Sequence, residues 1–322
     1  MLYDIFKEKR CFKLICGAGN EDISEVEKLI YLYSLSGANF FDVCATPEVV
    51  MAAKRGLKRA GITKDRYLCV SVGAESDKHF CKAFIKQEIC SKCSSCVSVC
   101  TQQAIQTENS KHIINEKRCI GCSKCIDICP NNAIDLIHKS TDYKEVLPPL
   151  IELGLDCIEY HILGNEGDSL YQKWDEINSM YKGPVSININ RAEIGDDDII
   201  SLISKLIKTR EPYSVIIQAD GIPMSGGKDS YKSTLQAVAT ADLFLDANLE
   251  CYLMCSGGTN SKTAELAKLC GVNVQGVAIG SFARKIVQEF TLRDDFFENK
   301  EVLNSALSIS KALVDKILSG MN

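Results

Sequence analysis

Short apolar stretches alternate with amphipathic ones along most of the chain. The apolar stretches read as strands at 12–18 (FKLICGA), 39–45 (NFFDVCA), 67–73 (YLCVSVG), 155–162 (LDCIEYHI), 184–190 (PVSININ), 213–219 (YSVIIQA), 251–257 (CYLMCSG) and 274–280 (VQGVAIG). Between them lie helical patterns: ISEVEKLIYLYSLSG, EVVMAAKRGLKRAG, YKEVLPPLIELG, LYQKWDEINSMYKG, DIISLISKLIKTR, STLQAVATADLFLDAN, SKTAELAKLCG and ARKIVQEF. Several stop at a glycine, the favoured helix terminator, at Gly37, Gly61, Gly154, Gly183 and Gly271. Eight strand–helix units predict an α/β fold, a (β/α)8 barrel of the TIM type. The last stretch, EVLNSALSISKALVDKILSG, predicts an extra helix packed on the outside.

The alternation breaks at 81–137, where no helix of barrel type occurs and AFIKQEIC, KHIINEKRC and AIDLI supply short strands instead. This segment reads as an α+β ferredoxin-like domain inserted in the loop after the third strand. The barrel then takes 1–80 and 138–322. An insertion there lies on the C-terminal face of the barrel, where such folds keep their active sites.

The insert carries the strongest chemical signal. Two runs, CSKCSSCVSVC and CIGCSKCIDICP, share the spacing Cys-x2-Cys-x2-Cys-x3-Cys. A [4Fe-4S] cube needs four thiolates, three from one tight loop and a fourth from further away. In bacterial two-cluster ferredoxins the last cysteine of each run crosses to the other cube. Cys90, Cys93, Cys96 and Cys129 are therefore assigned to one cluster, and Cys119, Cys122, Cys125 and Cys100 to the second. Pro130 follows the second run as that pattern expects, whereas Thr101 stands in its place after the first. Zinc ribbons use only two Cys-x2-Cys pairs, so the third and fourth cysteines of each run exceed what zinc needs.

Composition narrows the setting. The chain has 322 residues, 46% hydrophobic and 25% charged, enough for a full core. A net charge of −5 without basic runs gives no footprint for nucleic acid. No apolar stretch approaches the roughly 20 residues that span a bilayer, and the charged first ten residues do not form a signal peptide. Seventeen cysteines suit a reducing cytoplasm, so a cytoplasmic protein without membrane insertion is expected. The nine cysteines outside the runs read as small buried hydrophobes.

On the barrel, strands seven and eight end in small residues before a helix start. Backbone N–H groups of Gly257, Gly258, Gly280 and Ser281, with the Thr259 hydroxyl and the Arg284 charge, form a candidate phosphate cradle. The string SGGKDS, from Ser225 to Ser230, resembles the pyrophosphate loop of ATP pyrophosphatases. Too little chain follows it for that fold, and a loop over the barrel mouth explains Ser225, Gly226, Gly227, Lys228 and Asp229 more simply. Polar residues also alternate toward strand ends: Asp42 and Cys44, Glu159 and His161, Ser186, Asn188 and Asn190, and Gln218 and Asp220. Alternate positions share one face, the interior of a closed barrel. Glu159, His161 and Asp220 are the candidate catalytic groups, with His161 as a proton relay near neutral pH.

Several segments together, FKLICGAGN, FFDVCATPEVV, EYHILG, QADGIPMSG and SGGTN, resemble the light-dependent period family of iron-sulfur proteins known from cyanobacteria. The resemblance runs over nearly the whole length, including the place of the cysteine segment, and the barrel part also resembles a plastid protein family. It implies a redox-active protein with [4Fe-4S] clusters. In cyanobacteria such a protein feeds redox state into the circadian clock, a role for which these residues hold no sign. Two readings follow. One is an electron-transfer or redox-sensing protein with a redox partner protein. The other is an oxidoreductase whose clusters pass electrons to FMN, or another phosphate-bearing ligand, in the barrel mouth, since the glycine and serine turns resemble the FMN-phosphate site of dihydroorotate-dehydrogenase-type barrels.

Overall fold

The structure, a computed structural model, describes residues 1–62, 64–73, 77–138, 142–192, 194–222 and 227–321. Among these the strands are β1 (Cys11–Ile15), β2 (Phe40–Cys44), β3 (Tyr67–Gly73), β4 (Cys81–Ile85), β5 (Ile105–Glu108), β6 (Lys111–Ile114), β7 (Ile134–His138), β8 (Cys157–His161), β9 (Val185–Asn190), β10 (Val215–Asp220), β11 (Tyr252–Ser256) and β12 (Gly276–Ile279). The helices are α1 (Leu2–Lys7), α2 (Ile23–Ser36), α3 (Pro47–Ala60), α4 (Ser95–Val99), α5 (Lys124–Asp127), α6 (Tyr143–Glu152), α7 (Asp168–Met180), α8 (Asp196–Ile207), α9 (Tyr231–Asp246), α10 (Thr263–Leu269), α11 (Ser281–Thr291) and α12 (Lys300–Met321). Ser225 and Gly226 of the SGGKDS string lie outside the described residues.

The eight expected barrel strands close into one parallel sheet in the order β1-β12-β11-β10-β9-β8-β3-β2. Local chemistry fixes the units. Asp22 caps α2 by accepting from the Ser24 and Glu25 N–H groups at 3.1 Å. Pro47 opens α3. Gly37, Gly61, Gly154 and Gly271 follow their helices at positive φ, as the helix-stop reading predicts. Gly183 differs: it is absent from the positive-φ glycines, and a Cβ there would meet the Tyr181 hydroxyl. The long C-terminal helix packs outside against α2, α10 and α11.

Helix α1 is an element that the charged N-terminus conceals. Its Leu2, Ile5 and Phe6 are buried with Phe40, Tyr252 and Met254 under the N-terminal end of the barrel, and the Phe6 and Tyr252 rings stack at 5.3 Å. That end is a sealed apolar plug, which leaves the C-terminal end for chemistry.

The insert leaves the barrel after β3 and returns through α6 to β8, which pairs directly with β3. It holds two ribbons, β4-β7 and β5-β6, both antiparallel. The two cysteine loops have the same backbone. Lys92 and Gly121, Ser94 and Ser123, and Gln103 and Asn132 occupy equivalent positions, all at positive φ. Their surroundings differ: Lys92 is exposed and Gly121 buried.

Gly121 is buried under the connection that enters the insert and the start of β4. A Cβ at Gly121 would lie 2.0 Å from the Lys78 carbonyl oxygen and 2.8 Å from that of Cys81. Lys82, only 4% exposed, donates to the carbonyls of Gly19 (2.6 Å), Glu116 (2.8 Å) and Cys119 (3.0 Å) and pairs with Glu21 at 3.0 Å. Arg118 donates to the Gln102 carbonyl at 2.9 Å and to Asp22, the α2 cap, at 2.6 Å. At the place where the first run lacks its proline, the Thr101 carbonyl accepts from Gln288 of α11 at 2.8 Å.

Substituting Gly121 by alanine adds strain at φ +68° and an overlap with backbone, so Gly121→Ala should lower unfolding stability by about 2 kcal/mol or more. The equivalent Lys92→Ala should stay within about 0.5 kcal/mol. Urea unfolding of the anaerobic protein checks the pair, and equal effects at both positions would refute the asymmetric docking.

Candidate functional site

Two sets of side chains meet at the C-terminal end of the barrel. The first is the cysteine segment. A cavity is lined by Cys100, Cys119, Cys122 and Cys125, with Ala83, Ala104, Ile105 and Ile114. Burial first, and then the neighbouring Cys122, Cys119 and Cys100 sulfurs, push the Cys125 thiol up to about 12, so these four sulfurs are mutual neighbours. On the other side burial, with the Cys90 and Cys93 sulfurs among the smaller contributions, raises Cys96.

The donor set suits iron-sulfur cubes. The backbone N–H groups of Ala83, Ala104 and Ala133 donate to the sulfurs of Cys119, Cys100 and Cys129, each at 3.3 Å, and such bonds stabilise thiolate charge. Among the described residues no three cysteine sulfurs lie within 4.8 Å of one another. A tetrahedral zinc, with Zn–S near 2.3 Å, needs sulfurs closer than that. All seventeen cysteines are free of disulfides. Cys93 is exposed whereas Cys119 and Cys125 are buried, so the first loop faces solvent and the second faces the barrel.

The second set lines a cavity of about 70 Å³ in the barrel mouth, room for roughly five waters. One wall is cationic and rich in N–H groups: Gly17, Gly19, Gly257, Gly258, Gly280, Ser281 and Arg284. Gly257 and Gly258 have φ of 63° and 76°. A Cβ on Gly257 would meet Asp220 and the Gly221 nitrogen at 2.8 Å, so only glycine fits. Ser281 begins α11, whose first N–H groups no helical carbonyl can reach. The Thr259 hydroxyl is already committed to the Ala278 carbonyl. Arg284 is buried; its Nη1 donates to the Gln102 side-chain oxygen at 2.6 Å, and its Nε has no partner among the described residues.

The rest of the lining is Asp42, His79, Glu159, His161, Asn188 and Asp220, of which the Asp220 carboxyl packs against Gly257. Below it, Lys13 is fully buried, ion-paired with Glu159, with its Nζ 4.8 Å from the centre of the Phe40 ring. Gln218 bonds both Glu159 and Ser186. His161 lies between two carboxylates: its Nδ1 is 3.2 Å from Asp77, and its Nε2 is 2.8 Å from Glu159, off the line of a well-directed hydrogen bond. Asp77 in turn holds His79 at 2.7 Å.

These contacts set the charges. Burial would drive the Lys13 proton off, but Glu159 outweighs it and the ammonium is held above its usual range. Burial likewise opposes the His161 cation, and the neighbouring Asp77 and Glu159 carboxylates raise it well above its ordinary value. Burial would raise Glu159 and Asp77, and their cationic partners hold both well below the carboxylate range. His161 is therefore a fixed cation at neutral pH rather than the relay expected from its unperturbed value. Asp42 behaves in the opposite way: burial and the Glu159 charge raise it to about 7. Burial also raises Asp220 against the Ser256 hydroxyl.

The sequence reading gathers Glu159, His161, Asp220 and the glycine turns in one cavity, as alternation predicts. Cys44 lies in a neighbouring cavity with Thr46 and Phe80, and Asn190 turns away to accept from the Ala192 N–H at 2.8 Å. Lys13, Asp77 and His79 were not singled out. The lone lysine in FKLI was a visible signal, whereas nothing in the spacing of DKHF marks its Asp and His.

Comparison with known proteins agrees with the cysteine set. Residues 150–316 match the family model of the light dependent period A C-terminal domain, and residues 89–134 match a 4Fe-4S dicluster domain. The light dependent period A protein of Synechococcus elongatus is 30% identical over 329 aligned residues, covering 94% of this chain and 90% of that one. Among solved structures, an archaeal fructose 1,6-bisphosphate aldolase superposes with a TM-score of 0.44 at 11% identity over 99% of this chain and 100% of that one. A Mycobacterium tuberculosis tryptophan synthase chain gives 0.49 at 10% over 99% and 97%.

The raised Asp42 yields a signed prediction. Its unfolded carboxyl ionises near pH 4 and its folded one near 7, so between these values the folded state binds the extra proton and stability falls as pH rises. Asp42→Asn removes that fall. The variant should gain on the wild type by up to about 4 kcal/mol from pH 4 to pH 7. Urea unfolding at several pH values checks it, and a constant difference between the two proteins would refute the shift. On the family model and the full-length relative together, the chain belongs to the light dependent period A family.

Proposed function

We propose that this protein is an iron-sulfur redox protein of two [4Fe-4S] clusters that exchanges electrons with a partner protein and senses a small phosphate-bearing ligand in its barrel mouth. Cys90, Cys93, Cys96 and Cys129 are assigned to the solvent-side cluster, and Cys119, Cys122, Cys125 and Cys100 to the barrel-side one. When bound, such clusters accept and release single electrons. The exposure of Cys93 suits the first loop to meeting a partner.

The observation that carries the reading is the shared wall. Ile120, inside the second cysteine loop, lines both the cysteine cavity and the mouth cavity. Arg284 spans the same boundary, with Nη1 on Gln102, two residues after Cys100, and Nε free toward the mouth. An anion received by Arg284 changes the charge next to the Cys100 loop, and a negative charge there disfavours adding an electron.

The flavin-enzyme reading has the glycine and serine turns in its favour. It has no further flavin-specific residue in its favour. A small phosphate monoester suits the mouth better.

Anaerobically purified protein should hold about eight irons, and Cys100→Ser should alter one cluster's spectrum while sparing the other. Adding phosphate should lower the midpoint potential of one cluster, by about 59 mV for each tenfold preference of the anion for the oxidised form. Arg284→Met should abolish the shift and keep the iron. Redox titration followed by electron paramagnetic resonance measures both. Absence of reducible clusters would refute the redox reading, and a shift that survives in Arg284→Met would refute the coupling.

A further inference from the structure

The lining of the mouth holds polar atoms without a partner. On the glycine wall Arg284 has a buried donor, Nε, with no acceptor among the described residues. Elsewhere in the lining the unmatched atoms are the Nε2 of His161, which stands 2.8 Å from Glu159 off the line of a hydrogen bond, and two carboxyl oxygens. Asp42 Oδ2 and Asp220 Oδ1 are buried, on residues 1% and 3% exposed, with no donor among the described residues. The other oxygen of Asp42 accepts from the Ser71 hydroxyl at 2.7 Å. A buried polar atom left unpaired is destabilising, so two such carboxyl oxygens in one cavity call for a ligand that supplies donors.

The protein's own cations do not meet that need. Lys13 is paired with Glu159 in the layer below, and His161 stands between Asp77 and Glu159. A bare phosphate answers only Arg284 and the glycine turns, because an ionised phosphate oxygen brings no donor to Asp42 or Asp220. An aliphatic phosphate ester leaves the acceptors unpaired. Room for roughly five waters corresponds to a ligand of about eight to ten non-hydrogen atoms, which is a phosphate group with a three- or four-carbon tail.

We infer that the mouth selects a short-chain phosphate monoester whose tail carries hydroxyl or ammonium donors, with the phosphate on Gly258, Ser281 and Arg284 and the donors on Asp42 and Asp220. This rests on the proposal that the mouth binds phosphate and adds the chemistry of the other end. Selection arises because a site built to receive hydrogen bonds rejects an isostere that lacks them more strongly than an apolar pocket rejects one with an extra group.

Isothermal titration of the anaerobic, cluster-bearing protein with four compounds tests it: inorganic phosphate, propyl phosphate, glycerol phosphate and 3-aminopropyl phosphate. Glycerol phosphate or 3-aminopropyl phosphate should bind at least about tenfold tighter than propyl phosphate. In Asp220→Ala that preference should fall below about threefold, inorganic phosphate should bind more tightly because a neighbouring carboxylate is gone, and the iron content should be unchanged. Equal binding of the three esters to the wild type overturns the inference while leaving the phosphate site standing, and this arm needs no variant to fold. Failure of all four compounds to bind overturns the phosphate reading and the inference together. A preference that persists in Asp220→Ala and in Asp42→Ala overturns the assignment of the donors to these carboxylates.

Discussion

The ammonium group of Lys82 is the contact on which the arrangement depends. It stands on β4 of the insert, almost wholly out of water, and gathers carbonyls from the β1–α2 loop and from the stretch leading into the second cysteine loop. A lone buried ammonium is very costly, and one that meets three carbonyls and a carboxylate is tolerable only while all of them stay in place. This single group therefore ties the position of the cysteine loop to that of the barrel loop. Gly121 allows the approach by having no side chain, and Arg118 adds a second tie at the α2 cap.

With the insert held so, the mouth becomes a composite site. Its floor is the polar layer of β1, β8 and β10, its rim the turns after β11 and β12, and part of its wall Ile120. The interior charges are sorted: Lys13, Glu159, His161 and Asp77 neutralise one another below and beside the cavity, whereas Asp42 and Asp220 face it without cations of their own. Such a layout stores unmet hydrogen bonding where a ligand arrives, a familiar arrangement for pre-formed sites.

Much of this was legible in the chain. Eight apolar stretches, each followed by an amphipathic one, give the barrel because a parallel strand needs a crossover helix to return to the same edge. Alternation within EYH and QAD places Glu159, His161 and Asp220 on the inner face, since a strand has a period of two. The limits are physical as well. Helix α1 is too short to show a periodicity, and Asp4 and Lys7 mask its three apolar anchors. Asp77 and His79 act from a connection whose shape is set by where the insert docks, a long-range matter that spacing does not encode. His161 looked like a neutral-pH titrating group because only the fold supplies the two carboxylates that fix its proton.

The duplicated cysteine loops carry a further consequence. Equivalent backbone positions hold Lys92 on one side and Gly121 on the other, although both residues have the same left-handed turn. A residue with a Cβ is accommodated where the loop meets water, while the copy against the barrel has no such freedom. Over evolutionary time the outward loop can exchange side chains and charge to suit different partners, and the inward loop must keep its glycine. Descendants of one repeat would thus diverge at unequal rates, with variation gathering around Lys92 and constancy around Gly121.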